Sequence, residues 1–238
     1  MKYFDFTFPT PAENLAGDEA LMDLCENGLE GEILRFWEPK APFIVLGYAN
    51  QAAREVNLEA CKKEGIPVFR RCSGGGTVVQ GPGCLNYSLI LRMDDGPLRS
   101  ITGTNKFIIE RHGAALEPLL KAGVQIQGHT DLALENLKFS GNAQRRLRNR
   151  LIFHGTFLLN FDVSLVEKLL PMPSKQPCYR ENRSHTDFLT NLKLPAADVK
   201  SALRRIWNAE QMLTNIPTDK IRELVSARYS RDKWNLKF

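Results

Sequence analysis

The sequence lacks any C-x-x-C pair, and its five cysteines (Cys25, Cys61, Cys72, Cys84 and Cys178) are odd in number and widely spread. That excludes a disulfide framework and a four-thiolate zinc site, and it fits reduced thiols in a cytoplasmic protein. A membrane-type run is also missing. The longest uncharged stretch, Cys72–Leu91, is broken by five glycines, a proline, an asparagine and several hydroxyl residues. The opening MKYFDFTFPTP carries Asp5 and no apolar core of secretory type, so no signal peptide is expected. Neither G-x-G-x-x-G nor a Walker Gly-Lys-Ser/Thr occurs after a glycine run. Charge of one sign is scarce: 32 Lys and Arg face 27 Asp and Glu, a net +5. Residues 138–150 hold five basic and no acidic side chains, so the whole excess is local. A nucleic-acid binder normally shows more than this.

What is present suits one soluble domain of 238 residues with 43% hydrophobic content. Thr10, Pro11 and Glu13 form a capping box with proline at the first helical position, and Leu21, Leu24 and Cys25 give that helix a buried stripe. Strand-like runs are predicted over residues 3–8, 32–37, 43–47, 68–71, 77–79, 87–91, 124–127, 131–134, 137–140 and 151–161. Helices are predicted over 58–63, ending at Gly65, and over 105–122, where Pro118 should kink or restart the chain. Two further helical patterns, around Val199–Ile206 and Ile221–Val225, close the sequence. Strands and helices do not alternate regularly. The expected class is therefore α+β, with mixed, mostly antiparallel sheets flanked by helices.

Three local patterns carry chemistry. In Arg70-Arg71-Cys72-Ser73-Gly74-Gly75-Gly76-Thr77, three glycines allow main-chain N–H groups to approach an anion, and Arg71 adds a planar fork. The same run reads equally well as a flexible surface turn. In Leu137–Ser140, strand alternation sends Leu137 and Phe139 to a core and Lys138 and Ser140 to the opposite side. There Lys138 is either a solvated cation or a cleft ammonium able to neutralise a phosphate and a carboxylate together. His154, in Phe153-His154-Gly155-Thr156, is an acid–base candidate or a packed strand histidine. Asp131 could pair with Lys138 or hold a metal ion.

Together these residues resemble the lipoate–protein ligases of the biotin/lipoate ligase superfamily. The resemblance rests on Arg70-Arg71-x-Ser73-Gly74-Gly75-Gly76, Leu85-Asn86-Tyr87-Ser88, Asp131-Leu132, Lys138-x-Ser140-Gly141-x-Ala143 and His154-Gly155-Thr156-x-Leu158-Leu159, in that order. It implies a biotin/lipoate-ligase-type catalytic domain over 1–238, with a helical portion from about 195 and no accessory C-terminal domain. Such proteins activate lipoate or octanoate with ATP to acyl-AMP and pass the acyl group to one lysine of an acceptor domain. By that pattern Arg71, Gly76, Thr77, Val78, Val79, Lys138 and Ala143 contact ATP. Ser73, Gly74, Gly75, Lys138, Ser140, Gly141 and His154 line the lipoate site. Lys138 is the catalytic residue touching both carboxylate and α-phosphate, Asp131 is a Mg²⁺ ligand, and no tightly bound cofactor is implied. The implied partners are the lipoyl domain of a 2-oxoacid dehydrogenase E2 or the glycine-cleavage H protein, together with a separate accessory ligase subunit in some systems. Membranes and nucleic acids are not among them, and the location is cytoplasmic.

The chain also departs from the pattern. Gln80-Gly81 replaces a His-Asp pair and Cys84 stands where Asn is frequent. The rival reading on the same fold is an octanoyltransferase or lipoyl amidotransferase that uses a cysteine nucleophile, and Cys84 is the residue to test. Remoter readings are a non-catalytic binder of lipoyl domains or of nucleic acid. The run Arg145–Arg150 either meets an acidic acceptor surface or is a solvated hairpin.

Overall fold

A computed structural model describes residues 1–94 and 96–238. Eleven strands run in chain order: β1 (Lys2–Asp5), β2 (Ile33–Trp37), β3 (Phe43–Leu46), β4 (Val68–Arg70), β5 (Val78–Gln80), β6 (Cys84–Arg92), β7 (Gln125–Gln127), β8 (Asp131–Leu134), β9 (Leu137–Arg146), β10 (Arg150–Leu158) and β11 (Gln211–Met212). The main helices are α1 (Pro11–Glu26), α2 (Ala52–Glu55), α3 (Leu58–Glu64), α4 (Ile101–Leu120), α5 (Ser164–Leu169), α6 (His185–Phe188), α7 (Ala196–Ile206), α8 (Thr218–Leu224) and α9 (Asp232–Asn235). Eight strands form one sheet in the order β11-β1-β2-β6-β10-β9-β8-β7, antiparallel except for the β11-β1-β2 edge. Three strands form a second sheet, β4-β3-β5. The α+β class with mixed sheets is as the sequence predicts.

Strand alternation divides the large sheet between two cores. Leu34, Phe36, Leu89 and Phe153 face one way and pack with Ile108, Ile109 and Leu116 of α4 and Leu203 of α7. Ile33, Ile90 and Ile152, paired side by side, face the other way onto Leu21, Met22 and Cys25 of α1. On this second face the next row is Arg35, Ser88, His154 and Ala143, and the row after that is Trp37, Asn86, Thr156 and Gly141. One face thus changes from an apolar floor under the second half of α1 to a polar wall that meets Asn14 and Asp18 in its first half. That change places the site.

Local chemistry explains most element ends. Thr10 Oγ1 accepts from Glu13 N and the Glu13 carboxylate accepts from Thr10 N, so α1 starts on its capping box. Gly65 ends α3 in a left-handed conformation. The helix does not restart at Pro118, which lies inside α4 two residues before its end. The strand predicted over 137–140 instead runs to Arg146, since Gly141–Arg146 pair with β10 across the sheet. Among the described residues, no helix is long and apolar enough to cross a membrane.

Candidate active site

Between the two sheets lies a cavity of about 880 Å³, within the range that takes small molecules. Trp37, Val45, Val79, Leu158, Phe161 and Leu170 give it an apolar wall. The glycine run closes one side. Arg71 is nearly buried, and its guanidinium donates to Gly74 O (2.5 Å), to Gly76 O (2.8 Å) and to Ser73 Oγ (3.1 Å). These bonds turn two loop carbonyls inward. In trans peptides the N–H groups of Gly75 and Thr77 must then point away from the guanidinium, as donors for an anion need. No carboxylate among the described residues pairs with Arg71. Burial draws its guanidinium down to about 10, which still leaves it charged at neutral pH.

The glycines here are a geometric requirement. Gly75 has φ +87°, and a Cβ on it would stand 2.7 Å from Arg71 Nη2 and 3.3 Å from the Ala143 Cβ. Gly75→Ala should therefore displace Arg71 and lower the thermal midpoint by about 2 °C or more. A thermal melt checks this, and an unchanged midpoint would contradict it.

Across the cavity, Lys138 Nζ pairs with Asp131 Oδ1 at 2.8 Å, and Tyr179 donates to Asp131 Oδ2 at 2.8 Å. Lys138 lies over Gly141, where a Cβ would meet its Nζ at 3.0 Å. Phe139 is buried in the main core while Lys138 lines the cavity, but the expected alternation does not extend to Ser140, because a bulge between β8 and β9 shifts the register and puts Ser140 in the row of the core residue Phe157. The pairing of Asp131 with Lys138, one of its sequence readings, is present. Among the described residues, no cluster of three or more His, Cys, Asp or Glu could hold a metal ion alone.

His154 belongs to a buried chain. Its Nδ1 faces Asp18 Oδ2 (3.2 Å) and its Nε2 faces Ser73 Oγ (2.5 Å), while Asp18 Oδ1 pairs with Arg35 Nη1 (2.5 Å). An ionised Asp18 only accepts, so Nδ1 carries a proton and, in the neutral ring, Nε2 accepts from Ser73. Burial would raise the Asp18 carboxyl, but Arg35 and the His154 hydrogen bond hold it below the usual range. The constellation has the members of a hydrolase triad. Ser73, however, is 1% exposed, already accepts from Arg71 and is absent from the cavity wall. Its geometry is that of a cross-link between glycine loop and sheet.

Of the residues assigned by sequence, Arg71, Gly76, Thr77, Val78, Val79, Asp131, Lys138, Ser140, Gly141, Ala143 and His154 line this one cavity. Ser73, Gly74 and Gly75 do not; they form its supporting loop. Asp18, Trp37 and Tyr179 also line it and were missed, together with Gln80, Asn86 and Thr156, which close a hydrogen-bonded ring among themselves. The replacement of His-Asp by Gln80-Gly81 was the available signal for that ring.

The run Arg145–Arg150 is engaged within the fold at three of its arginines, because Arg145 pairs with buried Glu19, Arg146 donates to the carbonyls of Leu98 and Arg99, and Arg150 donates to Cys25 O, while Arg148 at the hairpin tip is exposed. Cys84 is 1% exposed in an apolar cluster, and burial pushes its thiol up to about 12. It packs as a small core residue. Cys178 is exposed at the cavity rim.

Known proteins resemble the chain over nearly its full length. It is 29% identical to a probable lipoate-protein ligase A of Mycoplasma pneumoniae over 92% of its residues, although it spans only 58% of that protein's length. It is 26% identical to the octanoyltransferase LipM of Brevibacillus brevis, covering 96% of this chain and 95% of that one. The fold matches a lipoate-protein ligase A bound with ATP at a TM-score of 0.85 and 24% identity, over 99% of both chains. A family model for the lipoyl protein ligase A/B catalytic domain matches residues 10–209, and the chain belongs to that family.

Proposed function

We propose that the protein is an ATP-dependent lipoate–protein ligase that activates lipoate or octanoate to acyl-AMP and transfers the acyl group to a lysine of a lipoyl-acceptor domain. One observation carries the reading. Arg71, paired with no carboxylate among the described residues, and the rim Lys138 line a single cavity that also has Lys175 and Arg180 in its wall and an apolar stretch of Trp37, Val45, Val79, Leu158, Phe161 and Leu170. An apolar acid and a nucleotide triphosphate both supply the missing negative charge. The ATP-bound neighbour of the same fold supports the nucleotide half.

The chemistry needs no protein nucleophile. An acid oxygen attacks the α-phosphorus and pyrophosphate leaves. The acceptor amine then attacks the acyl carbon, AMP leaves, and the amine proton passes to solvent. Two anions repel, so an ammonium fixed between them lowers the first barrier. Arg71, with Gly76 and Thr77 beside it on the cavity wall, would hold the nucleotide side. The apolar wall would exclude water from the mixed anhydride. Asp131 fits Mg²⁺ as one carboxylate ligand beside substrate phosphates, the usual habit of that ion, and the metal would neutralise charge on the departing pyrophosphate.

Acceptor domains and an accessory chain are proposed partners. A structural neighbour, an archaeal lipoylation system, is a bi-partite lipoate protein ligase with its E2 lipoyl domain. The octanoyltransferase relative and the exposed Cys178 favour acyl transfer as the second reading. Mass spectrometry of a lipoyl domain decides between them, after incubation with ATP, Mg²⁺ and free lipoate or with octanoyl-carrier alone. A mass shift only with ATP and free acid supports ligation. A shift only with the carrier overturns it. Cys84→Ser and Cys178→Ser should each keep ATP-dependent transfer within about threefold, a rate change of less than 1 kcal/mol. Loss in Cys178→Ser alone would move the assignment to the transferase.

A further inference from the structure

We propose that Tyr179 is a positioning residue for Lys138 that acts through the Asp131 carboxylate; the inference rests on the ligase reading for its catalytic consequence. A lysine stem has four rotatable bonds and about 2 kcal/mol of rotamer entropy to restrain. A rim ion pair alone restrains it weakly, because exposed pairs contribute roughly 0–1 kcal/mol. Here the carboxylate is itself fixed. Asp131 Oδ1 takes the ammonium, and Oδ2 is held by the Tyr179 hydroxyl. The phenol is fixed in turn, since its ring packs on Phe188 with centroids 5.1 Å apart and Arg183 Nη2 donates to its carbonyl at 2.7 Å. The strand under Lys138 is pinned from the same side, where Thr190 N donates to Lys138 O at 2.9 Å.

An ammonium that must touch two anions at once gains most from such pre-positioning, because small misplacements at a reacting centre are costly. Tyr179→Phe keeps the ring against Phe188 and removes only the hydroxyl.

The test has two arms. In steady-state pyrophosphate release, Tyr179→Phe should lower kcat about tenfold while KM for acid and ATP moves less than about threefold. The Asp131→Asn/Tyr179→Phe double variant should be no slower than Asp131→Asn alone, as expected for groups acting in series. In the free protein, labelling of Lys138 by an amine-reactive ester, read by peptide mass spectrometry, should be several times faster in Tyr179→Phe. Unchanged labelling, or additive losses in the double variant, overturns the proposal. If wild type forms no acyl-adenylate while the variant's labelling still rises, the ligase reading fails and the Tyr179–Asp131 restraint of Lys138 stands.

Discussion

Lys138→Ala should form acyl-adenylate about a thousandfold more slowly than wild type, a loss of ~4 kcal/mol in transition-state stabilisation, with little change in thermal midpoint. The asymmetry follows from where the residue stands. Its side chain is 25% exposed and makes one ion pair at the cavity rim, so folding depends little on it. Catalysis depends on it doubly, because the truncation removes the cation and leaves Asp131 as a bare negative charge beside incoming phosphates. Lys138→Arg should not restore the rate, since Gly141 and Asp131 leave a compact ammonium in a slot that a wider planar fork does not match. Pyrophosphate release measured beside circular dichroism separates the two effects. A variant that adenylates normally would remove Lys138 from the mechanism.

Asp18→Asn should cost about 3–5 kcal/mol of stability, the scale for breaking a buried ion pair from one side. Arg35 is fully buried and Asp18 is its charge partner, while Nη1 and Nη2 also donate to Asn14. The folded carboxyl lies below its ordinary value. Its stabilising contribution is therefore complete above the unfolded value of about 3.9 and disappears as pH falls through the lower folded value. Wild type should lose stability across that acid window, whereas Asp18→Asn should lack this part of the pH dependence. Urea unfolding at pH 7 and through the acid range checks both statements. A change below about 1 kcal/mol at pH 7 would show that the pair is not structural. The variant also tests a link to function, because Asp18 fixes the His154 tautomer and, through Ser73, the loop that holds Arg71.

How much of this was readable in the sequence depended on distance along the chain. The glycine loop, Lys138 with Gly141, and the capping box of α1 are local patterns, and each stands in the structure where its chemistry placed it. The sheet was legible because β-branched and aromatic runs separated by turns define strands. Its extents were not, since Gly141 and Asn142 look like a turn and become strand only by pairing with Thr156 and Gly155. Asp18 sits in a helix that reads as ordinary and amphipathic. Only the fold brings it to Arg35 on the neighbouring strand and to His154, 136 residues away. Tyr179 follows a proline-rich segment with no periodicity to read. The arginine run was hard to read for a related reason: Arg145 and Arg146 are answered by Glu19 and by carbonyls of distant segments, and no local pattern reveals such partners.

The most direct test of the account is binding of a non-hydrolysable acyl-sulfamoyl adenosine, which joins the acyl chain and the nucleotide in one molecule. If one cavity holds both anions between Arg71 and Lys138, wild type should bind it at least a thousandfold more tightly than either free acid or AMP, about 4 kcal/mol, and Lys138→Ala should lose most of that gain. An affinity no better than that of AMP alone would contradict it, because acid and nucleotide would then not share the cavity.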